Sequence, residues 1–394
     1  MRVTVVGAGI GGLAVAAGLQ RAGADVTVLE RAEQVRPVGS GLSLFGNGFT
    51  ALDALGLGTA VRALAAPGGR GLQAGQRTPD GSWLSRTPAE AVAQLGVVHR
   101  ADLHRVLQEA LRPGTVHLGS PVDGLTPTAG GVLVGGRPEH PSDLVVAADG
   151  IRSGIRASWP GDPGLRYSGY SAWRGVTAVP VDLLGAAGET WGRGLRFGMV
   201  PLADGRVYWF AVATLPAGTR FDDEHGTVTR LLEGWHAPVA ELVAATAPED
   251  VTRSDVHDLA GPVPTFRRGR CVLLGDAAHA MTPDLGQGAN QALEDAATLT
   301  RLLAGVAAAE VPDAGAVDAA LDAYDALRRP RTQRLARQAR RVGAVAQARG
   351  PVAARVRDGL LRLVPDRATA RPLLAVQAWQ PPAASPQPAG PLSR

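Results

Sequence analysis

Three glycines, Gly7, Gly9 and Gly12, fall in the GxGxxG spacing within the run GAGIGG. The first position permits a tight turn, the second lets the backbone approach a pyrophosphate, and the third allows close helix–strand packing. A helix opening here offers free N–H groups and its positive end to phosphates. Glu30 closes the next strand-like run, where an acid can bind ribose hydroxyls and disfavours a 2′-phosphate. Dinucleotide binding is the expected chemistry, of the FAD or NAD kind rather than NADP. Two further motifs follow. VVAADGIRSGIR (145–156) ends a strand in Asp149-Gly150, with Arg152, Ser153 and Arg156 behind it. RGRCVLLGDAAHAMTPDLGQGANQALEDA (268–296) ends a strand at Gly275-Asp276, carries Pro283 in a loop, and enters a helix through Gly286 and Gly288. Asp276 can accept hydrogen bonds from a polyol chain, and the helix start would stabilise negative charge in front of it.

The elements that must hold these residues can be read from the same rows. RVTVV (2–6) is a buried-strand run, Leu13 to Ala22 reads as a helix, and Asp25 to Glu30 as a second strand, giving a βαβ opening. The stretch 66–96 is rich in Gly and Pro and reads as irregular or short strands. Ala101 to Leu111 is helical, and Leu144 to Ala147 is a strand. Between about 165 and 258 the runs Tyr170 to Val176, Leu195 to Val200 and Arg206 to Ala213 alternate and carry most of the Trp and Tyr. Val228 to Trp235 and Pro238 to Ala245 read as helices. Cys271 to Leu274 returns as a strand, and Asn290 to Leu303 and Ala314 to Val345 as helices. The expected class is α/β: a Rossmann-like domain with an inserted, mainly antiparallel β-sheet domain and C-terminal helices.

Composition removes other chemistries. All 40 basic residues among the 394 are arginine. Without lysine there is no Schiff base and no P-loop GK[ST]. One cysteine, Cys271, excludes an internal disulfide, a CxxC pair and a multi-cysteine zinc site. Cys271 reads as strand packing. The histidines show no metal spacing. No apolar run suits a membrane span, the N-terminal apolar stretch reads as strand and helix rather than a signal, and a reducing cytoplasm is expected. Residues 328–372 hold thirteen arginines against Asp358 and Asp366, while the rest of the chain is net acidic. That segment reads as an amphipathic helical tail packed on the body with a solvated basic face, so nucleic acid is not an expected partner.

Taken in this order, the three motifs resemble those of the class A flavin-dependent monooxygenases, the p-hydroxybenzoate hydroxylase superfamily, over roughly residues 1–345. The middle stretches RYSGYSAWRGV (166–176) and LRFGMVPLADGRVYWFAV (195–212) are similar to FAD-dependent urate hydroxylase and 3-hydroxybenzoate 6-hydroxylase types. The resemblance implies a GR2-type FAD-binding domain over 1–165 and 261–345, with a substrate-domain excursion at 66–96. It further implies a β-sheet substrate domain over 166–260, a helical extension over 346–379 and a disordered tail over 380–394. It implies non-covalent FAD held by Gly7, Gly9, Gly11, Gly12, Glu30, Arg31, Gly41, Leu42, Arg100, Asp149, Gly150, Asp276, Pro283, Gly286, Gly288, Ala289 and Asn290. Arg196 and Tyr208 face the substrate by this match, although an arginine or tyrosine on a sheet can equally be structural. His279 reads as a hydrogen-bonding residue beside the cofactor. The implied reaction hydroxylates a small aromatic molecule with O2 and NADH or NADPH through a flavin C4a-hydroperoxide, in a monomer or homodimer. An epoxidase acting on a polyketide or isoprenoid is the alternative. Two departures stand out: Phe45-Gly46-Asn47 replaces a WPN tripeptide, which is expected to open space, and the turn reads GQGAN. Both argue against urate as the substrate.

Overall fold

The computed structural model describes residues 1–34, 41–67, 71–136 and 139–383. The expected tail lies mostly outside the described residues. Two sheets organise the chain. The first has six strands in the order Arg267–Arg268, Cys271–Leu273, Leu144–Ala147, Arg2–Val6, Asp25–Leu29, Val116–His117. Four of its five pairings are parallel, and only Arg267–Arg268 runs antiparallel. RVTVV, LVVA and CVL are almost wholly buried because both faces are covered, by helices and by a three-stranded sheet of Gly124–Pro127, Val132–Gly135 and His140–Ser142 whose Val132 and Val134 join the same core. The Ile10–Arg21 and Gly288–Leu303 helices form one such layer, with Leu13, Leu19, Leu293 and Leu299 inaccessible to solvent.

The Ile10–Arg21 helix begins three residues earlier than its apolar run suggests. Its first turn is made of the glycine motif itself, so hydrophobic periodicity marks it late. Likewise, the helix expected from Val228 occupies Glu224–Leu231, because Asp223 caps it by accepting the Gly226 N–H at 2.7 Å.

The second sheet has seven strands, ordered Thr252–Leu259, Leu165–Val176, Val207–Ala213, Leu195–Pro201, Ala186–Trp191, Gln73–Arg77, Trp83–Arg86. All neighbours are antiparallel except Ala186–Trp191 with Gln73–Arg77. The 66–96 stretch thus adds two edge strands here. Side chains alternate across this sheet. Trp173, Phe197, Met199, Trp209 and Ala211 form a core with Val228, Leu232, Leu242 and Val243 of the two helices on that side. Ala172, Arg174, Arg196, Tyr208, Phe210 and Val212 line the other face.

The helices Ala314–Ala346, Pro351–Leu363 and Asp366–Gln377 close the chain. Their arginines are not uniformly solvated. Arg328 is fully buried against Glu294 and Asp295, and Arg340 reaches the buried Asp258. Arg357 donates to the carbonyls of Gly192 and Ala346 at 3.0 and 2.9 Å. The basic segment is therefore in part an internal fastening. Among the described residues no helix is long and apolar enough to cross a membrane.

Candidate active site

A cavity of about 790 Å³ lies between the two sheets, within the usual size range of small-molecule sites. One end is built by the glycine motif. Gly7 sits at φ +104°, and a Cβ there would lie 2.4 Å from the Ala148 carbonyl oxygen. A Cβ on Gly12 would lie 2.0 Å from the Gly7 oxygen, whereas the Cβ position of Gly9 meets no atom within 4 Å. Gly9 and Gly11 line the cavity, and the helix starting at Ile10 has no side-chain cap on its first N–H groups. Gly7 and Glu30 do not line the cavity. Both shape the loop: Glu30 accepts N–H bonds from Ala8 (2.8 Å) and Ala32 (2.9 Å).

Arg31, Arg100 and Arg152 line this part, and no carboxylate pairs with them among the described residues. Gly150, Gly41 and Leu42 join them. Asp276 lines the cavity as an exposed carboxylate. One oxygen of Asp149, Oδ1, is buried without a partner. These are the features a bound dinucleotide would complete: an open backbone cradle, free N–H groups, unpaired cations and unsatisfied acceptors.

The middle of the cavity is the turn at Pro283, Gly286, Gly288 and Ala289. Gly286 adopts φ +62°, and the helix Gly288–Leu303 again starts without a side-chain cap. The expectation that Asn290 binds cofactor needs correction at its side chain. That amide is fully buried, accepts from the Phe45 N–H (2.9 Å) and donates to the carbonyls of Ser43 and Gly286 (3.0 Å each). It fixes the turn against the Gly41–Leu44 strand. The Phe45-Gly46-Asn47 departure does not open space either. A Cβ on Gly46 would lie 2.2 Å from Gln94 Oε1, and the Gly46 N–H donates to Gln377. Asn47 is turned inward, donating to Gln287 (2.9 Å) and Glu294 (2.7 Å).

Behind the turn lies a buried charge network that the sequence reading did not identify. Arg328 binds Glu294 and Asp295, and Asp295 also meets His279 Nε2 (2.6 Å) and the Gly275 N–H (2.9 Å). Burial opposes ionisation of Asp295, but His279 and Arg328 outweigh it and hold the carboxyl below its ordinary range. The signal available in the sequence was Glu294-Asp295 set between Leu293 and Ala296-Ala297 of a helix, since buried acids require counter-charges. Cys271 is buried in its strand, and burial pushes its thiol up.

At the far end, Arg196 and Tyr208 both line the cavity. Arg196 is only 2% exposed, and it is not a free cation. Its NH2 meets Asp284 Oδ1 at 2.6 Å and its NH1 lies 3.5 Å from Glu189 Oε2. Burial works against its charge, but Glu189 and Asp284 raise its pKa nonetheless. Tyr170 donates to the second oxygen of Asp284 at 2.6 Å, with its ring 5.8 Å from the guanidinium. Tyr208 lies against Gly41, where a Cβ would come within 2.5 Å of its ring. Burial raises its pKa, while Arg174 and Arg100 pull the other way. Asp284, Glu189, Tyr170 and Arg174 were not singled out from the sequence. Asp284 follows Pro283 in the loop already noted, and the other three are brought in by strand register.

A protein-family model described as FAD binding domain matches residues 1–339. The chain belongs to this family of class A flavin monooxygenases. It is 39% identical over 383 residues to the aurachin C monooxygenase/isomerase of Stigmatella aurantiaca, covering 94% of this chain and 96% of the relative. It is 35% identical over 388 residues to the 2-heptyl-3-hydroxy-4(1H)-quinolone synthase of Pseudomonas aeruginosa, covering 94% and 96%. Among solved structures, HpxO of Klebsiella pneumoniae complexed with FAD and uric acid superposes with a TM-score of 0.85 at 29% identity, covering 96% of each chain. The cofactor of this chain is FAD, and its enzyme class is flavin-dependent monooxygenase.

Proposed function

We propose that the chain hydroxylates an aromatic or heteroaromatic small molecule, using O2 and NADH or NADPH. The observation that carries this reading is the continuity of the cavity. It runs from the uncapped Ile10–Arg21 helix, past the start of the Gly288–Leu303 helix, to the inner face of the seven-stranded sheet. FAD held here would supply the O2 chemistry, with NADH or NADPH as its reductant.

The chain's residues supply the rest. The N–H groups after Gly9, with Arg31, Arg100 and Arg152, would hold the pyrophosphate. Asp276 would accept from the ribityl hydroxyls. The helix start at Gly288 would offer partial positive charge to the cofactor. The sheet over 166–260, with its 73–86 edge strands, forms the substrate side and keeps water out. Tyr208, a neutral phenol, hydrogen-bonds the substrate, and Arg196 holds Asp284 and Glu189 in place. The names of two relatives, a urate hydroxylase and a 2-heptyl-3-hydroxy-4(1H)-quinolone synthase, support an electron-rich ring as the target.

The test is product mass under ¹⁸O2 together with ligand-stimulated NAD(P)H oxidation. Gain of one labelled oxygen is expected. Colourless protein with no absorbance near about 450 nm, even after FAD is added, would sink the reading. So would release of all reducing equivalents as H2O2 for every ligand tried.

A further inference from the structure

The C-terminal helices have an outer face that their internal fastening does not explain. Gly350 caps the helix Pro351–Leu363, and Pro351 suits its first turn. The inner side of this helix packs on the seven-stranded sheet: Leu361 joins Leu84, Trp191 and Ala346, and Arg357 reaches the Gly192 carbonyl. Its outer side carries Val352, Val356, Leu360 and Leu363, whose i, i+4, i+8, i+11 spacing sets them in one stripe. These four side chains are 55% to 79% exposed. Seven of the fourteen exposed large hydrophobic residues among those described fall within 345–374. That is a concentration, not the single scattered leucines and valines of an ordinary surface. Arg355 and Arg362 run along one edge of the stripe. Arg355, with Arg367 and Arg371 of the next helix, makes no ion pair or hydrogen bond among the described residues. Arg362 adds a weak pull on Asp80, which Thr78 and Ser82 mainly hold. The two acids within 345–377 are occupied: Asp358 pairs with Arg357, and Asp366 accepts the Arg86 N–H at 3.0 Å.

We propose that the Pro351–Leu363 helix docks the protein on an anionic phospholipid surface, with the stripe of Val352, Val356, Leu360 and Leu363 among the acyl chains and Arg355 and Arg362 at the headgroup phosphates. An apolar stripe bordered by cations is what a helix lying in the lipid interface requires. Arg367 and Arg371 add to the attraction. A second copy of the chain fits less well. A two-fold contact sets a patch against itself, which would gather the arginines of both copies with no free carboxylate from this segment to meet them. The sequence past residue 383 offers Leu392 as its one large apolar residue and no acidic side chain, so it matches neither feature. Nucleic acid would engage the arginines and leave the stripe in water. None of these residues lines the cavity, so the proposal depends on neither the substrate nor the hydroxylation.

The experiment is co-sedimentation of FAD-loaded, full-length protein with vesicles of phosphatidylcholine, alone or mixed with phosphatidylglycerol. Wild-type protein is expected to partition at least about tenfold more strongly onto the phosphatidylglycerol vesicles. Most of it should be released at about 1 M salt, where screening shortens to roughly 3 Å. Leu360→Glu combined with Leu363→Glu should lower partitioning by more than about tenfold. Flavin content and melting midpoint should stay at wild-type values, because both side chains already face water. Arg355→Gln, which breaks no contact of the fold, should lower partitioning about fivefold on phosphatidylglycerol vesicles alone, and it decides the matter should the double variant lose FAD. Equal partitioning onto both kinds of vesicle, or none onto either, overturns the proposal. So does unchanged partitioning in both variants. A wild-type dimer that the double variant splits, with no vesicle binding, also overturns it and gives this face to a second copy.

Discussion

The two ends of the cavity are built on opposite principles. At the dinucleotide end the chain offers backbone and charge: glycines that hold no side chain, two helix starts without side-chain caps, and arginines with no carboxylate ion pair among the described residues. At the substrate end almost every charge is already matched, with Arg196, Asp284, Glu189, Tyr170 and Trp191 joined in one network. The first end suits a permanent dianionic guest that completes it. The second must stay folded while its guest comes and goes, and its charges satisfy one another. Between the two runs the Gly288–Leu303 helix, anchored by the Glu294–Asp295–Arg328 network.

Removing the anchor should damage both ends together. Arg328→Met leaves Glu294 and Asp295 buried beside weaker partners. Loss of one member of such a network costs about 3–5 kcal/mol, so a fall in thermal midpoint and in FAD content is expected from melting curves and flavin absorbance. A variant with wild-type stability would show that the network is not what joins the ends.

The next largest effect should be confined to one end. Gly12→Ala puts a methyl 2.0 Å from the Gly7 carbonyl oxygen, a backbone atom that cannot rotate away. Overpacking of this kind costs about 1–3 kcal/mol. FAD affinity should drop by more than about tenfold, while the tryptophan-rich core of the sheet keeps its near-ultraviolet signal. Arg196→Met should do the reverse. Buried Asp284 loses its cation and keeps Tyr170, so stability falls as well, but FAD stays bound and turnover falls roughly a hundredfold because the reacting groups are misplaced. Equal loss of FAD in Gly12→Ala and Arg196→Met would erase the distinction between the ends.

This contrast also explains what could be read before the fold was known. The GxGxxG run, the DG and GD strand ends and the βαβ opening are local, since each residue's job depends on neighbours a few positions away. Arg196 and Tyr208 could be named only through resemblance to a family. Glu189 could not be named at all. It reaches the site because Ala186–Trp191 pairs with Leu195–Pro201 in the register that sets Glu189 opposite Gly198 and Trp191 opposite Arg196. The two corrected expectations have the same origin. Asn290 is held by Phe45, 245 positions away, and Gly46 is covered by Gln377, 331 positions away. Spacing within a motif carries no information about contacts of that range.

The smallest expected effect tests how the substrate end uses a neutral group. Burial raises the Tyr208 pKa above its ordinary value of 10.0, with Arg174 and Arg100 only partly opposing the shift. The direction is upward, so the phenol keeps its proton across the neutral range. It therefore acts as a hydrogen-bond partner, not as an anionic base. Tyr208→Phe removes one neutral hydrogen bond, about 0.5–1.5 kcal/mol, so turnover should fall by roughly two- to tenfold with FAD retained. The ratio of wild-type to variant rate should also stay flat between about pH 6 and 9. A ratio that climbs with pH would mean that Tyr208 loses its proton during turnover, and that the substrate end relies on a charge the folded chain holds in reserve.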